Sequence, residues 1–420
     1  MKKTVLLLAV PLVMYAHTLP ELFDALKTHS QTKADEMAVK KSMVQEDLVY
    51  SKLYPKVNLF ASFDNYSSPT NMRPFPPKEA QSNPTMAQPF SYNIYKSGAS
   101  FSMPLFVKSI YTTAKKAEAL QKSTRAKKHI NLLQNEALIV GANANYIYLN
   151  NLLDALNAKE KSLQETKKTT QIKVDNGRAP ASALYKIDDA LNQIAIAKNS
   201  IALQKKKLIS TVQTLTGIAL NAPVAMHEQS SFTKGDMKSL EPLREKVRSE
   251  RLNIKLEKEK LYPALYAHGS YAFMRGKAYN NGQNANEHYG NVGVVVNIPL
   301  LAMDNYASIK LSKIKLQSSQ IALEKLSDEL SAKAKMLEGS LPLLDHSLQL
   351  YKQSVANKKK LLAIAKVSYN SARLSTEEYL RYEDDVVAEK ANLYKTQATK
   401  WQTLMQLAVI YGNNIEEMVE

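Results

Sequence analysis

The chain contains the same unit twice. Residues 104–217 recur at a constant offset of 195 as residues 299–412: Pro104-Leu105 meets Pro299-Leu300, Tyr111 meets Tyr306, Arg178 meets Arg373, Asp188-Asp189 meets Glu383-Asp384, and Gly217 meets Gly412. No insertion breaks that register. Loops absorb insertions far more readily than packed helices do, so the unbroken offset predicts one long helical unit used twice. Between Leu105 and Thr216 the only helix breakers are Gly141, Gly177 and Pro180. Leu132, Ile139, Tyr146, Leu149, Leu153, Leu156 and Leu163 follow heptad-like spacing, and Leu184, Ile187, Leu191, Ile194 and Ile201 continue it on the return. The reversal falls at Asn176-Gly177-Arg178-Ala179-Pro180, with Gly suited to a helix end and Pro to a helix start. In the second copy Asn370-Ser371-Ala372-Arg373-Leu374-Ser375 leads into Thr376-Glu377, a helix N-cap followed by acids. Each unit reads as an antiparallel helical hairpin.

The helical units are interrupted at equivalent places. Residues 19–50 read as one amphipathic helix that Tyr54-Pro55 stops, and residues 241–261 as another that Tyr262-Pro263 stops. After each stop the period changes to two. Val57, Leu59, Ala61 and Phe63 alternate with Asn58, Ser62 and Asp64, with Phe60 as the exception; Val292, Val294, Val296 and Ile298 alternate with Asn291, Gly293 and Asn297. Strands are expected at about 56–66, 91–103, 264–274 and 289–299, with a Pro-rich loop over 67–89 and an Asn-rich turn over 279–288. Two hairpins with one aliphatic and one polar face fit lipid on one side and water on the other. Four strands leave two edges whose backbone groups lipid cannot satisfy, so the chain is expected to oligomerise. Two copies give eight strands and three give twelve, and only the larger barrel holds open water.

The N-terminus, Met1-Lys2-Lys3 followed by the apolar run 5–15 and Ala16, reads as a secretory signal peptide over 1–16. Cysteine is absent, so neither disulfides nor a lipid-bearing N-terminal cysteine is expected. The charge is +17, from 56 Lys+Arg against 39 Asp+Glu. The lysines are spread along helix faces, in runs such as 205–207 and 358–360, which reads as solvated surface and no nucleic-acid partner. The scattered histidines show no metal-ligand spacing and no phosphate-binding loop occurs, so no metal, cofactor, catalytic residue or enzyme activity is expected. The acidic run Glu383-Asp384-Asp385 reads as a solvated or lumen-lining face.

Signal peptide, duplicated hairpin-plus-helical-hairpin unit, Tyr-Pro before each strand pair and Met103-Pro104-Leu105-Phe106 and Ile298-Pro299-Leu300-Leu301 after it together resemble the TolC-like outer membrane efflux proteins. The sequence departs from that family's pattern in lacking the common glycines after Pro-Leu. The resemblance implies a mostly α, α+β membrane protein: a homotrimer with one 12-stranded outer membrane β-barrel continued by a periplasmic α-helical tunnel. It implies a signal peptide 1–16, a first repeat 17–217, an inter-repeat connector 218–240 forming an equatorial belt, a second repeat 241–412 and a tail 413–420. It implies an exit channel for efflux or type I secretion, embedded in outer membrane lipid and joined by a periplasmic adaptor to an inner-membrane pump. Carried over by position, Asn176, Gly177, Arg178, Ala372, Arg373 and Leu374 become adaptor-contacting tips, and Tyr369, Glu378 and Arg381 the periplasmic aperture. Glu378 suits an acidic selectivity ring there; Arg381 does not. The other reading of Glu377 and Glu378 is that they complement a helix N-terminus. The rival class is a periplasmic coiled-coil adaptor or scaffold, which would need no duplicated alternating strands; a passive porin would be dominated by strands.

Overall fold

The computed structural model describes residues 17–82 and 85–419; the signal-peptide segment lies outside them. Contacts divide the chain into two units. Of the described residues, one comprises 17–38, 125–241 and 324–419, and the other 39–82, 85–124 and 242–323.

The first unit is helical. It holds α1 (Leu19–Thr28), part of α2 (Ser30–Tyr50), and most or all of each of the four long helices, α4 (Lys108–Asp175), α5 (Ser182–Thr216), α7 (Met303–Asn370) and α8 (Thr376–Tyr411), of which α5 and α8 lie wholly inside it. The expected heptads supply the core: Leu149, Leu156, Leu163, Ile187, Ile194 and Ile201 are buried together with Ala365, Tyr369 and Tyr379. A second core gathers Leu19, Leu22, Phe23 and Leu26 of α1 with Ile130, Leu133, Ile139, Val212, Leu404 and Met405. The single helix expected over 19–50 is broken at His29, whose backbone is extended. The apolar stripe of α1 has no continuation in phase, because Ser30, Lys33 and Lys40 follow, and Thr32 Oγ1 donates to the Leu26 carbonyl at 2.7 Å, satisfying an end-of-helix acceptor. The α7 helix runs through Pro342, which removes one i to i−4 bond.

Residues 218–240 are largely irregular and are held by side chains. Asn143, fully buried on α4, both accepts from Val224 N (2.9 Å) and donates to Val224 O (2.8 Å). Asn413 treats Thr233 the same way, at 3.3 and 3.1 Å. The short α9 (Ile415–Met418) joins in, with Gln229 N donating to Met418 O and an isolated bridge between Glu228 and Val419.

The second unit contains α6 (Glu241–Glu259) and an antiparallel sheet in the order β1 (Lys56–Asn71), β2 (Phe90–Phe106), β3 (Ala264–Lys277), β4 (Asn284–Asn297). The strands are longer than expected. β1 continues through Pro69, which an edge strand tolerates at the register shift between Asn65 and Thr70. The long loop also contains α3 (Pro77–Ser82), and the β3–β4 turn shrinks to 278–283. Register places Val57, Phe101, Gly269 and Val292 in one row and Leu59, Ala99, Tyr271 and Gly290 in the next.

Phe60, the exception to the alternation, lies on the opposite face directly across from Gly98. A Cβ at Gly98 would sit 2.1 Å from Tyr271 O and 3.0 Å from the Phe60 ring. The pairing recurs: Phe101 faces Gly269, Tyr271 faces Gly290, and His268 faces Gly293. In each pair the ring covers the space where the glycine has no side chain, a device that pins strand register.

Candidate functional site

Two regions carry chemistry, one in each unit. In the helical unit it is the pair of reversals. Gly177 and Ala372, equivalent under the repeat offset, are both left-handed, at φ 67 and 57. Arg178 N donates to Lys173 O at 2.7 Å and Arg373 N to Ser368 O at 2.9 Å, closing the same helix-ending motif twice. The second copy does this with an alanine, which carries a Cβ penalty that glycine escapes.

Tyr369, in the last turn of α7, is buried, and its hydroxyl lies 2.8 Å from Thr170 Oγ1 and 3.3 Å from Thr376 Oγ1. Lys173 Nζ donates to the carbonyls of Tyr369 (3.2 Å) and Asn370 (3.1 Å) and sits 5.2 Å from the Tyr369 ring centre. A cation on the last carbonyls of α7 suits the negative end of that helix. Arg178, Ala372, Leu374 and Tyr369 line one shallow groove. Asn176 is engaged locally, donating to Ile172 O at 2.7 Å.

Glu378 closes a capping box at the start of α8. Its carboxylate accepts from Ser375 N (3.0 Å) and Ser375 Oγ, and its own N–H donates to Ser375 Oγ (3.2 Å). The Ser375 bonds, with Arg381 adding a smaller attraction, hold this exposed carboxyl below its ordinary range. Glu378 and Arg381 also line a second groove between α5 and α8, together with Lys159, Lys186, Asp189, Glu377 and Asp384. Lys186 pairs with Glu377 at 2.8 Å across it. Glu378 thus combines the helix-start role with an exposed charge at the same end of the hairpin.

The acidic run, expected as a solvated or lumen-lining face, is divided: Asp384 is exposed and Asp385 half-buried, whereas Glu383 is buried. Glu383 is 4% exposed and accepts from both Ser162 Oγ and Tyr379 OH at 2.6 Å. Burial, then the Glu383 bond, pushes the Tyr379 hydroxyl up to about 12. Asp384 pairs with Lys159, and Asp385 with Lys358 at 2.6 Å. Two lysines of the runs expected to be solvated therefore turn inward: Lys358, and Lys205, which donates to Asn150 Oδ1 at 3.1 Å. Ser162, Thr170 and Lys173 carry no local sequence signal, since these partners lie about 200 positions away; Tyr379 meets Glu383 four residues on along α8, but its α4 partner Ser162 is likewise distant.

In the sheet unit the chemistry is the contrast between faces. Val57, Leu59, Phe63, Tyr95, Phe273, Val292, Val294 and Val296 are exposed on one face, Leu59 at 85% and Val292 at 82%. The other carries Asn58, Ser62, Ser100, Ser102, His268, Ser270 and Asn291. Among the described residues no strand lies beside the outer edges of β1 and β4. Among the described residues no cluster of side chains could hold a metal ion, and no helix is long and apolar enough to cross a membrane.

The fold, with its paired β-hairpins and duplicated long helices, is shared by solved structures of outer membrane channels of the TolC family. Among solved structures, 94% of the chain superposes on the Campylobacter jejuni CmeC outer membrane channel (TM-score 0.78, 16% identity, 85% of that chain covered). It likewise matches the outer membrane protein VceC of Vibrio cholerae (TM-score 0.77, 13% identity, 96% of that chain). The Neisseria gonorrhoeae MtrE outer membrane channel in its open state matches at TM-score 0.71, 15% identity and 88% of that chain. No protein-family model matches the sequence, and no curated protein matches it. At these identities the likeness establishes the fold.

Proposed function

We propose that the protein is an outer membrane exit channel of a tripartite efflux or type I secretion system. It is a passive conduit, coupled through a periplasmic adaptor to an inner-membrane pump that supplies the energy and chooses the cargo. The observation that carries this reading is the sheet with one exposed apolar face and two unpaired edges. Lipid is the solvent that such a face requires, and in lipid the edges must close on further strands. Three copies supply twelve strands, enough for a water-filled lumen. The helices support assembly as well. Met336, Leu343, Leu350 and Ile364 on α7 are spaced in multiples of seven and 51–68% exposed, and Ile196 and Leu203 on α5 are exposed at the same spacing. Such seams are what a coiled-coil neighbour covers.

In this assembly the two reversals form the periplasmic end. Tyr369 holds it closed, Glu378 places one carboxylate per chain at the aperture, and the grooves beside Arg178, Ala372 and Leu374 receive the adaptor. The native mass of the detergent-extracted mature protein, corrected for bound detergent, tests the proposal. Three chains with channel conductance in a planar bilayer support it. A monomer that stays soluble without detergent overturns it in favour of an adaptor.

A further inference from the structure

The polar face of the sheet is not open along its whole length. At the hairpin-loop end, opposite the end where α2, α4, α6 and α7 join, Ile94, Ala272, Met274 and Ala285 on that face are at most 7% exposed within a single chain. Phe60 of β1 packs against this cluster, and the segment between β1 and β2 supplies the rest of its cover. Met72, 3% exposed, belongs to the same buried cluster, and Ala87 packs against it. Arg73 then reaches across. Its Nε donates to Glu287 Oε2 at 2.5 Å, and Glu287 stands in the same row of the polar face as Lys96 and Met274. The rest of the guanidinium holds Glu79 on α3 at 2.5 Å and the Pro74 carbonyl at 3.1 Å, so one side chain ties the segment to itself and to the sheet. The far end is tied down independently. Asn280 and Asn281 of the β3–β4 turn donate to Met86 O (2.8 Å) and Thr85 O (3.0 Å), and Gln88 N donates to Asn280 Oδ1 (3.0 Å).

A connection between adjacent antiparallel strands needs only two to five residues. This one is several times longer, and it is laid over the polar face. The prolines at 74, 76, 77 and 89 lower the entropy lost in fixing it there. We propose that this segment, through residues 72–82 and 85–89, forms a strap across the outer mouth of the pore, latched by Arg73 onto Glu287, that limits the size of what leaves. The inference rests on the channel reading, since the polar face is a lumen only in a closed barrel. The β3–β4 turn is too short to supply an equivalent strap. The constriction is therefore made of one strap per chain.

The absence of cysteine makes the test clean. Met274→Cys places a single thiol beneath the strap, and its reaction with a membrane-impermeant maleimide is followed in the intact detergent-extracted assembly. The strap predicts slow labelling that rises about tenfold or more when Arg73→Ala is added, as for release of a local closing contact. It also predicts that Arg73→Glu together with Glu287→Arg labels more slowly than either reversal alone. In planar bilayers Arg73→Ala should raise single-channel conductance, about twofold if the strap is the narrowest lumen segment. Fast labelling without the Arg73 change, or labelling and conductance that ignore it, overturns the strap. A protein that conducts no ions in any form while the thiol stays protected until Arg73 is removed overturns the channel reading and leaves the latch standing.

Discussion

Tyr369 and Tyr379 lie ring on ring, with centroids 4.9 Å apart and planes 22° from parallel. The last turn of α7 and the first turn of α8 are thereby fastened across the reversal, and each hydroxyl reaches a residue of α4: Thr170 for Tyr369 and Ser162 for Tyr379. Tyr369→Phe keeps the stack and removes only the hydroxyl. It should cost about 1 kcal/mol of stability, the ordinary net worth of a hydrogen bond, and raise the open probability of the reconstituted channel. Wild-type gating with the expected stability loss would restrict Tyr369 to a packing role.

Glu378 has two jobs that a single substitution separates. Glutamine still completes a capping box with Ser375 but carries no charge. Glu378→Gln should lower the unfolding midpoint only slightly, through the lost charge at the helix N-terminus, and weaken cation selectivity and block by divalent cations in conductance measurements. If selectivity is unaltered, the residue serves the helix start alone.

Asn143 bonds both backbone polar groups of Val224 with its one buried amide. Asn143→Ala leaves a donor and an acceptor unpaired and should destabilise the helical unit by about 2–4 kcal/mol. Denaturant unfolding followed by circular dichroism reads this directly, and limited proteolysis should show cleavage moving to the 218–240 connector.

Glu136 is 3% exposed on α4. Burial chiefly, then the Glu416 carboxylate, pushes its carboxyl up to about 7, with Lys27 opposing. The unfolded chain releases this proton near pH 4, at the ordinary glutamate value. Between about pH 4 and 7 the folded state therefore holds a proton that the unfolded state lacks, and stability falls as pH rises through that window and levels off above it. Glu136→Gln should flatten this dependence and add roughly 2 kcal/mol at pH 8 while changing little at pH 4. Thermal unfolding at the two pH values checks the sign.

Gly98→Ala puts a methyl 2.1 Å from the Tyr271 carbonyl, where the backbone itself must move. The sheet should lose several kcal/mol, on the order of a severe overpacking change, and the yield of assembled protein in the membrane fraction should drop. An alanine at the open Gly235, where nothing lies within 4 Å, is the matched control.

The parts of this fold visible in the sequence are those governed by local periodicity. Heptads from Leu149 to Leu163 place a helix whatever lies opposite, and the Asn176-Gly177 pair announces a left-handed helix end. What stays hidden depends on partners far away in the chain. Glu383 reads as surface until Ser162 is brought to it from α4, where it joins Tyr379, one turn earlier on α8, as a donor. Phe60 breaks a pattern that makes sense only beside Gly98. The helix break at His29, and the extension of β1 past Tyr66 and of β4 back to Asn284, lie where the apolar periodicity gives out and propensity is nearly silent. Ala372 adopts the same backbone as Gly177 because the repeat imposes it, against the preference of its own side chain.

The order of strands bears on how such a ring is counted. Inside the sheet, β2 of the first repeat lies against β3 of the second, and the free edges are again β1 of the first repeat and β4 of the second. A neighbouring chain laid on either edge therefore joins a first-repeat hairpin to a second-repeat hairpin, as the chain already does within itself. Around a closed ring the junction between subunits and the junction within a subunit alternate as variants of one contact. The wall then repeats twice as often as the polypeptides that make it, and the covalent link between repeats becomes a local convenience that a ring of twice as many half-length chains could do without.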